Sequence, residues 1–339
     1  MADLATSWLG LSLASPFVVA AGPLSKDPDA IAEAVSAGAG AVVMYSLFEE
    51  QLTADQMAAH RFLDMRTDSD AEASTFLPDV DVFSLDAEPY VKQLERLRKH
   101  VDVPIVASLN GTTPGGWTRY AKQLEAAGAS ALELNLYEVA TSPDESGAAL
   151  EQRQLDVVAA VVGAVALPVT VKLCPFYSSV PAFVRRLEKA GARGVAVFNR
   201  FYQPDVDLDA LDVDRRLVTS TSAELPLRLH ALALLSPTTT LSLACTGGVH
   251  SGRDAAKAIL SGAHVVQLAS VLLEQGPAHV GALRDELTRW LDDKGYRSSA
   301  EARGVLDLSS TPDPHAWERL NYARMLDGWR VSKPWRSES

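Results

Sequence analysis

The sequence is poor in the features that mark several common chemistries. It has two cysteines, Cys174 and Cys245, far apart and without a CxxC pair. That excludes a disulfide framework and a zinc ribbon, and it fits a reducing compartment. The seven histidines are scattered, with no HxxxH or HExxH spacing to place two metal ligands on one helix face, so no metal is expected. No GxSxG elbow presents a nucleophilic serine, and no GxGxxG turn follows a first strand. A serine hydrolase and a Rossmann dinucleotide site are therefore not expected.

Basic charge is also short. Thirty-one Lys and Arg against 43 Asp and Glu leave a formal charge of −12, which argues against a nucleic-acid partner. No run reaches the ~18 apolar residues that a membrane span needs. The first residues, MADLATSWLGLSLASPFVVAAG, lack a basic region and carry Pro16 within their apolar part, a poor signal peptide. The expectation is a cytoplasmic protein without membrane contact.

What the sequence does have is a repeat. AIAEAVSAGAGAVVMYS, YAKQLEAAGASALELNL, FVRRLEKAGARGVAVFN and AAKAILSGAHVVQLAS each read as an amphipathic helix, a glycine stop and a short apolar strand. Gly38, Gly128, Gly191 and Gly262 suit the left-handed position that ends a helix. With the further runs PFVVAAG, VPIVASLNG, LPVTVKL and LSLACTGG, the count reaches eight strands. They are expected at 17–21, 41–45, 104–109, 131–136, 169–173, 194–198, 241–245 and 264–268. Eight βα units in this length predict a (β/α)8 TIM barrel; an open doubly wound sheet is the rival reading.

The chain is expected to be one domain, with a barrel core over 16–297 and a C-terminal helical extension over 298–339. Residues 47–86, after the second strand, are too long for a bare connection and read as a structured lid. Residues 199–225 form a second long loop on the same barrel face.

Candidate site residues gather at the strand ends. Gly247 and Gly248 follow the seventh strand and precede a helix; Ala269 and Ser270 end the eighth. Glycine backbone N–H groups in these two loops suit a phosphate group. Lys172 lies in the otherwise apolar VTVKL and needs an anion or strong acceptors to be tolerated there. Asn110, Asn135 and Asn199 close three further strands, and converging amides suit the edge of a planar heterocycle. In ALELNLYEVA, the strand alternation turns Glu133 and Asn135 inward and the leucines towards the helices.

Together, SPFVVAAGPLSKDPDAI, GAGAVVMYS, ASLNG, LELNL, LPVTVKLCPFYSS, VFNR and CTGGVHSGRDAAKAILSGAHVVQLAS resemble the class 1 dihydroorotate dehydrogenases, a family of FMN-dependent (β/α)8 barrels. The matching pieces occur in the family's order over roughly 16–275. The resemblance implies FMN as cofactor, with Ala21, Gly22 and Ser46 lining the flavin. It implies that Asn110, Asn135, Lys172 and Asn199 contact the flavin ring, its ribityl chain or the substrate. Gly247, Gly248, Ala269 and Ser270 would hold the phosphate.

Departures from the family fall on the substrate side. Where the family reads Asn-(Leu/Val)-Ser-Cys-Pro-Asn, with the cysteine as base, this chain has Asn135-Leu136-Tyr137-Glu138-Val139-Ala140. Glu138 stands at the base position, with Tyr137 beside it and Lys172 as the third catalytic candidate. A lysine usual after the second strand is Tyr45 here. Cys174 also ends a strand, at a position that is not catalytic in the family.

The activity implied is an FMN-dependent CH–CH oxidoreductase of pyrimidine biosynthesis, acting on dihydroorotate or a related small cyclic substrate. A soluble redox partner protein and a homodimer are further expectations. The alternatives are a flavin-binding electron-transfer or assembly subunit without dihydroorotate activity, and a non-flavin phosphate-binding lyase or isomerase barrel.

Overall fold

All four glycine stops have positive φ: 114° at Gly38, 85° at Gly128, 94° at Gly191 and 114° at Gly262. Each turns the chain at the end of a helix and delivers the next strand within a few residues. The result, in a computed structural model that describes residues 1–48, 88–110, 114–136, 138, 140–199, 205–214 and 218–328, is a closed barrel of eight parallel strands. The open-sheet alternative is excluded by that closure.

The barrel strands are β3 (Phe17–Val19), β4 (Ala41–Phe48), β5 (Ile105–Asn110), β6 (Ala131–Asn135), β7 (Val169–Leu173), β8 (Gly194–Val197), β11 (Ser242–Thr246) and β12 (Val265–Leu268). Neighbours in sequence are neighbours in the sheet, and β12 pairs with β3 to close the ring. Between them run α1 (Pro28–Ser36), α2 (Glu88–His100), α3 (Pro114–Ala126), α4 (Gly147–Ala164), α5 (Val180–Lys189), α6 (Leu225–Leu235) and α7 (Gly252–Leu260). A short α8 (Ser270–Gln275) and a long α9 (His279–Lys294) follow the last strand. Every predicted strand is present, with ends displaced by at most three residues.

Two apolar layers hold the fold. The outer faces of the strands, Leu132, Leu134, Val171 and Leu173 among them, pack against helix residues such as Phe183 and Leu187. Inside, a second cluster fills the N-terminal end of the barrel with Val18, Val43, Val106, Ala131, Ala196 and Ala244. A hairpin of β1 (Thr6–Trp8) and β2 (Leu11–Leu13), which sequence reading did not anticipate, plugs that end. Its turn uses Leu9 at φ 57° and Gly10 at φ 79°, and Trp8 is wholly buried. Gly194 is the point of closest approach: a Cβ there would lie 2.5 Å from Leu9 Cδ2.

The predicted lid falls on residues outside those described, apart from Leu47 and Phe48, which end β4. Within the second long loop, β9 (Asp205–Asp207) and β10 (Asp212–Asp214) form an exposed hairpin. The C-terminal extension contains α10 (Ser299–Ala302) and α11 (Pro314–Asp327). His230 Nε2 on α6 lies 3.4 Å from Glu318 Oε2 on α11, while Leu320, Tyr322, Met325 and Leu326 remain exposed. Among the described residues, no helix is long and apolar enough to cross a membrane.

Candidate functional site

The polar residues of β6 and β7 face the barrel interior because side chains alternate along a strand. Asn135 lies opposite Lys172 and Glu133 opposite Thr170 in the parallel register. Glu133 is wholly buried, and its Oε2 accepts a 2.7 Å hydrogen bond from Gln267 Nε2 on β12, across the barrel. Lys172 Nζ lies 3.8 Å from Glu133 Oε1. One layer higher, Asn199 Nδ2 donates to Asn135 Oδ1 at 2.8 Å. The interior thus changes from an apolar floor to a polar layer and then to a rim of amides and an ammonium.

Above that rim, at the C-terminal ends of the strands, is a cavity of about 200 Å³. It is lined by Ala21 and Gly22 after β3, Lys172 on β7, Asn199 after β8, Gly247 and Gly248 after β11, and Ala269 and Ser270 after β12. Three predicted cofactor residues are not in the lining. Asn135 is one hydrogen bond away through Asn199, Ser46 Oγ is 2.8 Å from Ser108 Oγ, and Asn110 is buried at the end of β5.

Sequence reading missed Phe198, Thr219, Ser220, Thr246 and Gln267, which also line the cavity. Gln267 had a legible signal, a polar residue inside the apolar VVQL, the same signal that marked Lys172. Ser220 had only TSTSAELP, a helix-start pattern, to mark it.

At one end of the cavity, three loops meet. Gly247 and Gly248 have φ of 85° and 81°. A Cβ on Gly248 would lie 2.8 Å from Leu225 N, and one on Gly247 would lie 3.0 Å from Arg228 Nη2. Both positions therefore demand glycine, by conformation and by space. Arg228 is buried behind them, where its Nε donates to Thr246 O at 3.1 Å and its Nη1 to Glu224 O at 2.8 Å. Ser220 Oγ and Ser270 Oγ are 2.9 Å apart, and Gly248 N–H donates to Ser220 Oγ at 3.3 Å.

The start of α7 takes a different part from the one its sequence suggests. Gly252 N–H donates to Glu286 Oε2 at 2.8 Å, Asp254 N–H to Ser251 Oγ at 3.1 Å, and His250 N–H to Asp254 Oδ2 at 3.3 Å. Two carboxylates and a serine hydroxyl of the chain itself hold these N–H groups, so the anion-binding capacity lies in the glycine loop and the cavity-facing serine.

Of the catalytic candidates, Lys172 is in the cavity wall. Glu138 lies outside the lining, its side chain 40% exposed, with Oε1 accepting from Arg153 Nη2 at 2.5 Å and Nε at 3.1 Å. Arg153 also binds Glu145, and these two partners, Glu145 foremost, raise the guanidinium pKa above its usual value. Tyr137 is outside the described residues. Burial pushes the Cys174 thiol up, away from the thiolate form that a nucleophile needs. Tyr45 is half-buried, its ring edge-on to Tyr90 at 4.9 Å and its face 5.0 Å from Lys26 Nζ. Among the described residues no cluster of His, Cys, Asp and Glu has the arrangement of a metal site.

A family model described as Dihydroorotate dehydrogenase matches residues 3–291. Among curated relatives, a protein of Aeropyrum pernix provisionally named dihydroorotate dehydrogenase A (fumarate) is 31% identical over 63% of this chain and 71% of its own length. The catalytic subunit of dihydroorotate dehydrogenase B (NAD(+)) from Pyrococcus abyssi is 26% identical over 89% of this chain and 98% of its own. The chloroplastic dihydropyrimidine dehydrogenase (NADP(+)) of Arabidopsis thaliana is 27% identical over 89% of this chain and 76% of its own.

Proposed function

The chain belongs to the dihydroorotate dehydrogenase family of CH–CH oxidoreductases, and on that premise we propose that it is an FMN-dependent enzyme oxidising dihydroorotate or a related small cyclic substrate. The family is flavin-dependent. The observation that carries the cofactor reading is the cavity wall. One end combines two obligate glycines with the hydroxyl of Ser270, to which Ser220 donates from behind, a donor set for a phosphate. The other combines Lys172 and Asn199, with Gln267 beneath; the Gln267 Oε1 is buried without a hydrogen-bond partner among the described residues. These residues fit a ligand with an anionic tail and a polar-edged planar ring.

When bound, FMN supplies the two-electron acceptor for oxidation of the CH–CH unit. The chain's residues supply binding, orientation and charge. Gly247, Gly248, Ala269 and Ser270 would hold the phosphate, and Ala21 and Gly22 would let the ring approach the backbone. Lys172, in the cavity wall, would set its ammonium towards the bound ring and would stabilise negative charge there. Asn135 and Asn199 act as a bonded pair, so that the Asn199 amide presents a fixed face to the cavity.

Removal of a substrate proton would fall to Glu138, three residues beyond β6. The guanidinium of Arg153 holds that carboxylate in place through two hydrogen bonds to Oε1. Tyr137 stands beside it in the sequence as a proton donor or a ring to stack on the substrate. A soluble acceptor or a second protein would take up the electrons; the relative from Pyrococcus abyssi is itself named as a catalytic subunit. A cytoplasmic location and a homodimer complete this reading.

The test is direct. Purified protein should be yellow with flavin absorption bands, and anaerobic dihydroorotate should bleach them. A colourless protein that takes up no FMN would discard the flavin reading. A yellow protein left unbleached would favour the electron-transfer or assembly role and send the search to other cyclic substrates.

A further inference from the structure

Behind the proposed phosphate end of the cavity stands a row of side chains for which phosphate binding by glycines alone gives no use. Ser220 is 3% exposed. Its hydroxyl donates to Ser270 Oγ at 2.9 Å, and its backbone N–H donates to the same oxygen at 2.9 Å. His250 Nε2 lies 3.4 Å from Ser220 Oγ. On the far side of the imidazole, Glu274 Oε2 is 3.8 Å from Nδ1. Three different βα loops contribute to this row.

Donor counting fixes the direction of the bonds. The proton of Ser220 goes to Ser270, so His250 must approach Ser220 as an N–H donor. Ser220 Oγ then accepts from both His250 Nε2–H and Gly248 N–H. Ser270 Oγ accepts twice, from the N–H and the O–H of Ser220. Its lone pairs are filled, and Ser270 lines the cavity. The one remaining direction for the Ser270 proton is outward, towards whatever the cavity holds.

The neighbouring charges leave the row intact. Asp254 accepts from the backbone N–H of His250, but its carboxylate is held by Ser222 and Lys257. Arg228 is turned to the carbonyls of Thr246 and Glu224.

We infer that His250, with the Glu274 carboxylate 3.8 Å behind it, hydrogen-bonds Ser220 and so fixes Ser270 as a donor to the cofactor phosphate, which sets this chain's preference for phosphorylated over unphosphorylated flavin. The inference rests on the flavin reading above. His250 and Glu274 are positioning residues, since neither lines the cavity. Riboflavin lacks the phosphate and shares the rest of the molecule, so it reports every contribution except this one.

The experiment is a fluorescence titration of the full-length protein, its bound flavin exchanged out, with FMN and with riboflavin. Wild-type protein should prefer FMN. His250→Phe should weaken FMN by about tenfold, the value of one hydrogen bond to a charged group, and leave riboflavin unchanged. His250→Gln, whose amide can still donate to Ser220, should recover most of the loss. Glu274→Gln, at a partly exposed position, gives a second variant with an unperturbed fold and a smaller loss in the same direction. Equal losses for the two flavins, or no loss for either, would overturn the inference. Wild-type protein that binds neither flavin would overturn the cofactor reading and the inference with it.

Discussion

Lys172 Nζ stands 3.8 Å from Glu133 Oε1 in the interior of the barrel, on neighbouring strands and two residues further along. Glu133 is wholly buried and Lys172 nearly so. The carboxylate has its second oxygen on Gln267, so Glu133 is held by more than the ammonium. Such a pair stabilises little as a unit, but removing one partner strands the other charge in an apolar medium.

That asymmetry gives the first prediction. Lys172→Met should destabilise the protein by about 3 kcal/mol in denaturant unfolding, because Glu133 is left without its cation. Adding Glu133→Gln should restore part of that stability, as the neutral amide needs no counter-charge. Flavin reduction should stay impaired in both variants, since the ammonium at the cavity wall is gone. Additive losses in the double variant would show that the two groups act independently.

Gly248→Ala should damage the phosphate end selectively. The position has φ 81°, and the new methyl group would meet the backbone of Leu225 at 2.8 Å. A side chain in this conformation costs about 1–3 kcal/mol before the clash is counted. The expected outcome is a lower melting temperature and FMN binding weakened more than riboflavin binding. A variant with wild-type FMN affinity would count against the glycine loop as the phosphate site.

Glu138→Gln should abolish substrate-dependent flavin reduction while FMN stays bound, because the amide cannot accept the substrate proton. Stability should change little, since the ion pair with Arg153 is exposed and such pairs contribute within about 1 kcal/mol. Rapid anaerobic mixing with substrate measures the step. Unchanged reduction would assign Glu138 to its ion pair alone.

His264 gives a pH dependence of stability. Its Nδ1 accepts the Leu243 N–H at 3.0 Å, and burial, reinforced by Arg303, pushes its pKa down to about 4. In the unfolded chain the imidazole titrates near 6.5. Below that pH the unfolded state binds the proton more readily, so stability falls as pH drops from about 6.5 to 4 and this contribution is flat outside that window. The total is about 3 kcal/mol at most. His264→Asn, which keeps a side-chain acceptor, should flatten urea midpoints across the window; an unchanged slope would refute the assignment.

Much of the fold was legible because its cause is local. A helix, a glycine stop and an apolar run within about twenty residues fix the identity of each βα unit, and Gly38, Gly128, Gly191 and Gly262 all took the left-handed conformation that the pattern demanded. The same locality revealed Lys172, a charge out of place in an apolar strand. The hairpin at 6–13 was less legible, because its turn places Leu9 at φ 57°, a conformation that only packing against the barrel floor sustains.

The sequence by itself determined which residues enter the barrel and which face the helices, since strand alternation places Glu133 and Asn135 inward whatever they meet. What they meet was decided only by closure of the barrel. Gln267, 134 residues away, completes Glu133, and Ser220 and His250 come from separate loops to stand behind Ser270. Arg153 captures Glu138 across a turn that the strand pattern does not describe. Periodicity is a property of neighbours along the chain, whereas a site is a property of neighbours in space, and here the ring of eight strands converts one into the other.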